Sequence, residues 1–187
     1  KLIKKCIDYK IKIFSLDDIG LKDYKYYFNP NIHVRNLYTI PFGKLYRISK
    51  PIIGVWGTGS NQGKFTLQLY LRKRFMQDNY IVGQIGTEPT AYLFGMDSCF
   101  HFGYNSVCNI TRFDTVSYIN NVLHDIERKN VDVILVGCQS NTVPIDNGNL
   151  NNFPIAQTEF LFATQPDIVI LTINVWDDLE YIKNTIN

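Results

Sequence analysis

Ile52-Ile53-Gly54-Val55-Trp56-Gly57-Thr58-Gly59-Ser60-Asn61-Gln62-Gly63-Lys64-Phe65-Thr66 is the stretch whose reading decides the fold. Its first part, Ile52–Gly57, has the apolar content of a buried strand. That strand opens directly into a turn holding Gly57, Gly59 and Gly63. Lys64–Asn79 then places apolar residues at 65, 67, 69, 71, 75 and 76 among Gln, Arg and Lys, which is a helical pattern. Glycine takes positive φ readily, so the main chain can curl at this turn. The N–H groups of such a curl point inward, at the positive end of the helix dipole, and form a nest for an anion. Lys64 adds a mobile positive charge, and a hydroxyl just beyond it can ligate magnesium. Gly57, Thr58, Gly59, Ser60, Asn61, Gln62, Gly63, Lys64, Phe65 and Thr66 are therefore expected to bind nucleotide phosphates.

The spacing departs from G-x-x-x-x-G-K-[ST]. Five residues separate Gly57 from Gly63, Thr58 takes the first glycine position, and Phe65 stands where the hydroxyl residue belongs, with Thr66 one place later. The strand–turn–helix context carries the assignment.

Working outward, the rhythm of strand and helix continues. Strands are expected at Tyr80–Gly86, Asp132–Gly137 and Asp167–Asn174. Helices are expected at Asp114–Asn130, capped by Asp114 or Thr115, at Ile155–Thr164, and after Asp177 or Asp178. Alternation of this kind, with continuously apolar strands, points to a parallel sheet covered on both faces. Upstream, Lys1–Lys10 carries a helical apolar stripe, Ile11–Leu16 reads as a strand and His33–Tyr38 as another. The expected division is 1–48, a partial N-terminal segment and linker, and 49–187, a nucleotide-binding domain. The chain begins at Lys1 and has no apolar leader, so it reads as a piece excised from a longer protein.

Composition narrows the class. Of 187 residues, 45% are hydrophobic and 19% charged, with a formal net charge of +2, as in ordinary globular domains. Such a balance gives no electrostatic drive toward nucleic acid or an anionic membrane. No apolar run approaches the roughly 20 residues of a membrane helix. Cys6, Cys99, Cys108 and Cys138 form no C-x-x-C pair, and the expectation is free thiols in a reducing cytoplasm.

The form G-T-x4-G-K in Gly57–Lys64 resembles the dethiobiotin synthetase and cobyrinic acid amidase branch of P-loop proteins. Extended to G-T-x4-G-K-x-T through Thr66, it is similar to a bacterial domain-of-unknown-function family with a Rossmann-like N-terminal half and a P-loop C-terminal half. Gly86–Gly95 and Val136–Asn141 carry the resemblance further along the chain. It implies a three-layer P-loop domain preceded by a remnant of the Rossmann-like part. It also implies ATP or GTP with magnesium, or coenzyme A in the form of acetyl-CoA, because some relatives are linked to N-acylation of D-glutamate. A weaker likeness is to proteins found beside peptide-maturation enzymes.

Other candidate residues lie at expected strand ends, where α/β proteins place ligands. Thr87 and Glu88 follow the second strand of the domain. Glu88 can ligate magnesium or act as a base, or the pair can simply open a helix. Asp97 is a second metal candidate. Gln139 and Ser140 follow the third strand and are candidates for contacting substrate, while Cys138 reads as a packing thiol before a nucleophile. In the resembling enzymes a Glu follows this strand. Here Gly137 takes its place, which bears against ATP hydrolysis and leaves phosphate binding untouched. Asn174 is a candidate base contact by the same resemblance.

Three functions fit these residues. An ATP-dependent enzyme would activate a small carboxylate or amine substrate, Lys64 steadying the phosphoryl group, Glu88 beside it and Thr66 on magnesium. An N-acyltransferase would use the loop for coenzyme A. A non-catalytic accessory protein would bind nucleotide alone. Homo-oligomer formation stays open in all three.

Overall fold

The computed structural model describes residues 1–30, 44–100, 112–138 and 155–186. The chain divides into two compact units, Lys1–Tyr38 and Thr39–Asn187. The first contains helix α1 (Leu2–Asp8) and two short strands, β1 (Ile13–Phe14) and β2 (Tyr27–Phe28), which pair in parallel. Phe14 stacks on Phe28 with ring centroids 5.4 Å apart. The Tyr24 hydroxyl lies 3.0 Å from the Cys6 carbonyl and 2.9 Å from that of Ile11, which ties the end of α1 to this pair. The strand expected at His33–Tyr38 lies outside the described residues.

The second unit runs β3 (Ile52–Gly57), α2 (Lys64–Gln77), β4 (Val82–Gly86), a 3-10 turn (Ala91–Phe94), β5 (Ser98–Cys99), α3 (Arg112–Glu127), β6 (Val133–Gly137), α4 (Ile155–Thr164), β7 (Ile168–Thr172) and α5 (Leu179–Ile186). Its five strands form one parallel sheet in the order β5-β4-β6-β3-β7, flanked by helices. The α/β class and the parallel sheet are those expected from the sequence. β4 and β6 are buried throughout; β6 accordingly reads as an unbroken apolar run, whereas β4 buries the polar Gln84 within it. Ile119, Leu123 and Ile126 of α3 pack into the core, while Val116 and Val122 of the same stripe are half-buried. One helix start differs in detail from expectation. Helix α3 begins at Arg112, ahead of Asp114 and Thr115. Asp178 does cap α5, its Oδ1 accepting from the Tyr181 amide at 2.7 Å. No helix of the described residues is long and apolar enough to cross a membrane.

Strand placement depends on a device used three times. Asp97, Asp132 and Asp167 each stand one residue before a strand, β5, β6 and β7 respectively. Each donates its own N–H to a carbonyl of the neighbouring chain segment and accepts that same residue's N–H on its carboxylate. The partners are Gln84 (3.0 and 2.9 Å), Ile81 (2.7 and 2.7 Å) and Ile52 (2.9 and 2.8 Å). The aspartate thus satisfies amides at the sheet margin that no neighbouring main chain serves. Gly54 fulfils a different packing need. A Cβ there would fall 1.5 Å from Cζ3 of Trp56, so the glycine makes room for the indole on the same face of β3.

Ile52 is buried, so losing the Asp167 acceptor strands its amide. Asp167→Ala is expected to destabilise the protein by about 1–3 kcal/mol, and Asp167→Asn, which keeps an acceptor, by less. Urea unfolding midpoints of the two variants against the parent chain check this.

Candidate functional site

The loop between β3 and α2 is curled. Asn61 has φ +58° and Gly63 has φ +82°. Asparagine tolerates this left-handed region better than most residues, and glycine occupies it freely. Gly57, the last residue of β3, is confined for another reason. A Cβ there would stand 2.6 Å from Thr172 Oγ1 and 2.8 Å from Gln62 Oε1.

Thr58 is the hub that holds the curl, and it is 1% exposed. Its amide donates to the Thr172 carbonyl (3.1 Å) and its carbonyl accepts from the Tyr181 hydroxyl (3.1 Å). Its hydroxyl donates to the Asp177 carboxylate and accepts from Gln62 Nε2 (2.6 Å). Gln62 Oε1 takes the Gly59 amide at 2.9 Å. Of the loop amides, those of Thr58 and Gly59 are thus engaged within the protein. The amides of Ser60, Asn61, Gln62, Gly63 and Lys64 donate to no protein group among the described residues. They precede or open α2, whose first bond runs from the Leu67 amide to the Gly63 carbonyl at 2.8 Å. The result is a nest of N–H groups at a helix N-terminus.

A cleft of about 320 Å³ opens over this nest. Ser60, Asn61, Gln62, Gly63, Lys64 and Phe65 form one side, and Thr87, Glu88 and Cys138 the other. The second side comes from the C-terminal ends of β4 and β6. Because Val55 pairs with Gly137 and Ile85 with Val136, the ends of β3, β6 and β4 lie next to one another. Thr87 is buried and Glu88 exposed at the rim, its carbonyl accepting from the Cys99 thiol (3.0 Å) and from the Ala91 amide (2.9 Å). The short helix expected to open at Thr87 starts later, at Ala91 with Thr90 before it.

Lys64 Nζ bonds the Gly59 carbonyl at 2.5 Å, so the ammonium is folded over the loop. Burial holds its pKa below the ordinary lysine value of 10.5, while Cys138 and Glu88 pull it the other way.

The remaining candidate residues that the structure describes lie elsewhere. Thr66 is exposed and does not line the cleft. Asp97 staples β5 to β4 as described, and its Oδ1 takes Lys129 Nζ at 2.9 Å. Asn174 is exposed beyond β7, its amide bonded to Asp177 Oδ2 (2.7 Å) and its side-chain oxygen to the Trp176 amide (3.3 Å). Gln139 and Ser140 lie outside the described residues. Among the described residues Cys6, Cys99 and Cys138 form no disulfide, and Cys108 is outside the described residues.

Three residues that the sequence reading passed over matter here. Asp177 and Tyr181 grip Thr58 from the β7–α5 side. Gln68, the buried residue of α2, packs its amide against Gly137. A signal for Gln68 exists in the sequence: Lys64, Gln68 and Arg72 recur every four residues and form a polar row on one helix face. All three reach inward. Lys64 bonds the loop, Gln68 meets β6, and Arg72 donates to Gln84 Oε1 (3.3 Å) and to the Gly95 carbonyl (2.8 Å).

Comparison with known proteins agrees with this architecture. The crystal structure of a DUF1611 family protein from Anabaena variabilis, at 2.30 Å resolution, superposes with a TM-score of 0.59 at 13% identity. The match covers 90% of this chain and 48% of that one, so the chain spans about half the length of that protein. No curated protein matches. The family described as DUF1611, domain of unknown function (DUF1611_C) P-loop domain, matches residues 40–176. From the curled loop, the parallel sheet and that match together, the chain belongs to the DUF1611 family and carries its P-loop domain.

Proposed function

We propose that this chain binds the phosphates of a nucleotide-type ligand in the cleft over Ser60–Lys64. The observation that supports this is the row of five loop amides without protein partners among the described residues, set at the start of α2 beside Lys64. An anion placed there gains charge-assisted hydrogen bonds from groups already aimed at it. Lys64 gives up one carbonyl contact to reach the ligand.

Across the cleft, Glu88 and Thr87 stand where a second substrate would meet the phosphates. This arrangement suits an ATP-dependent step on a small carboxylate or amine, with Glu88 accepting a proton from the attacking group and Lys64 neutralising charge on the phosphoryl oxygens. A second reading has the loop hold coenzyme A for transfer of an acyl group to an amine. Gly137 favours it, since the end of β6 offers no carboxylate beside the phosphates.

Titration calorimetry with ATP, GTP and acetyl-CoA separates the readings. Phosphate release with ATP supports the first, and binding of acetyl-CoA in preference to ATP supports the second. Lys64→Ala is expected to weaken whichever ligand binds by roughly 1.5–3 kcal/mol, the worth of a hydrogen bond to a charged group. Unchanged affinity would remove Lys64 from the site.

The sign of the pH dependence follows from the lysine. A bound anion favours the ammonium, so the Lys64 pKa is higher in the complex than in the free protein. Affinity is full below the free-state pKa and falls as pH rises through it, at a pH below 10.5 because burial lowers that pKa. The fall is expected to persist in Cys138→Ser, which removes the neighbouring thiol, and to vanish in Lys64→Ala. Affinities measured from pH 8 upward, where phosphate monoesters with a second pKa of about 6 are fully ionised, check both.

A further inference from the structure

Among the described residues α5 buries no side chain. Leu179, Glu180, Lys183 and Ile186 are exposed, and Tyr181 and Ile182 are half-buried. The turn that leads into it, residues 173–178, holds Val175 and Trp176 at 89% and 87% exposure. With so little apolar surface withdrawn from water, hydrophobic burial contributes little to seating this segment. Its hydrogen bonds to the β3–α2 loop converge on one residue. The Asp177 carboxylate accepts from the Thr58 hydroxyl, and the Tyr181 hydroxyl donates to the Thr58 carbonyl at 3.1 Å. Asp177 also closes the turn beneath α5, its Oδ2 accepting from the Asn174 amide at 2.7 Å.

Thr58 passes this hold on to the loop. A hydroxyl has one proton to donate. With that proton on Asp177, Thr58 Oγ1 meets Gln62 as an acceptor and takes Nε2 at 2.6 Å. The Gln62 side chain is thereby oriented, with Oε1 toward the Gly59 amide at 2.9 Å. The same Gln62 lines the cleft. Without the Asp177 acceptor the Thr58 proton is free to turn, and the orientation of the Gln62 amide loses its cause. Elements with few buried apolar contacts open locally at a lower free energy than the whole fold. Opening of α5 draws Asp177 and Tyr181 away from Thr58, so it loosens the anchor of the loop while the sheet stays closed.

We infer that α5 and the turn before it form a conformational latch on the anion site: seating α5 raises affinity for the anion, and a bound anion holds α5 seated. The two effects are equal in size, because coupling between two equilibria is reciprocal. This rests on the reading of the loop as a phosphate cradle and adds a control element to it.

The test is hydrogen exchange of the full chain, read by mass spectrometry, with inorganic pyrophosphate as the probe and its affinity set by calorimetry. At saturation the amides of residues 182–186 are expected to exchange at least threefold more slowly than in the free protein. Ile182→Ala leaves every group of the Asp177–Thr58–Gln62–Gly59 relay in place, and is expected to speed α5 exchange and weaken pyrophosphate at least twofold. Tyr181→Phe, which keeps the ring and removes one bond to Thr58, acts in the same direction. Asp177→Ala is expected to weaken pyrophosphate more than Asp177→Asn, whose remaining oxygen still accepts from Thr58. Equal losses in the two Asp177 variants refute the relay. Pyrophosphate bound with α5 exchange unchanged, or Ile182→Ala faster in exchange at unaltered affinity, overturns the latch and leaves the cradle standing. No pyrophosphate binding by the parent chain removes the cradle and the latch together.

Discussion

Thr58 makes the site possible. One buried residue joins the end of β3 to β7 through its amide, to the Asp177 carboxylate and the Gln62 side chain through its hydroxyl, and to Tyr181 through its carbonyl. A loop of small residues is entropically expensive to order, because glycine loses more backbone freedom than any other residue. These bonds are formed by the fold itself, so the curl is fixed independently of what it binds. Preorganised amide dipoles are the more effective for it, since little reorganisation remains to oppose binding. The elements that supply the grip, β7 and α5, lie after β3 by more than a hundred residues. The curl of the loop is a property of the closed sheet rather than of its own segment.

The same network divides the loop into two parts. Thr58 and Gly59 have their amides spent on Thr172 and Gln62, and serve as the anchor. The amides of Ser60 to Lys64 have no protein partner among the described residues. Gln62 works on both sides of that division, its side chain locking Gly59 while its main chain faces the cleft. Lys64 is held on the Gly59 carbonyl, which keeps a partly buried ammonium hydrogen-bonded and costs a ligand one bond to displace.

Much of the fold was legible in the residues. Ile52–Gly57 and Ile155–Thr164 take the bounds that their apolar runs and flanking glycine or proline suggest, since a strand buried on both faces has no reason to alternate. The cleft follows from the rule that parallel sheets gather their working residues at strand C-termini, which brings Lys64, Thr87, Glu88 and Cys138 together. The partners were not legible. Asp97 looks like a metal ligand in a loop until Gln84 and Lys129 are seen on it. Its resemblance to Asp132 and Asp167, each one residue ahead of a strand, is a pattern of pairing and becomes visible only with the sheet order. Gln68 was missed because an amphipathic reading assigns the buried face to apolar residues, whereas the inward face of α2 carries a polar row.

That polar row explains why Gly137 is a departure with a structural cause. A glycine at the end of an otherwise apolar strand reads as a lost carboxylate. In the folded chain it is the space into which Gln68 fits, and the two positions depend on one another. Restoring an acid at 137 alone would press a charged stem into a buried amide, a cost of both overlap and desolvation. A larger residue at 137 requires the Gln68 side chain to shift. Neighbouring Cys138, itself buried, lines the cleft with Lys64 and Glu88.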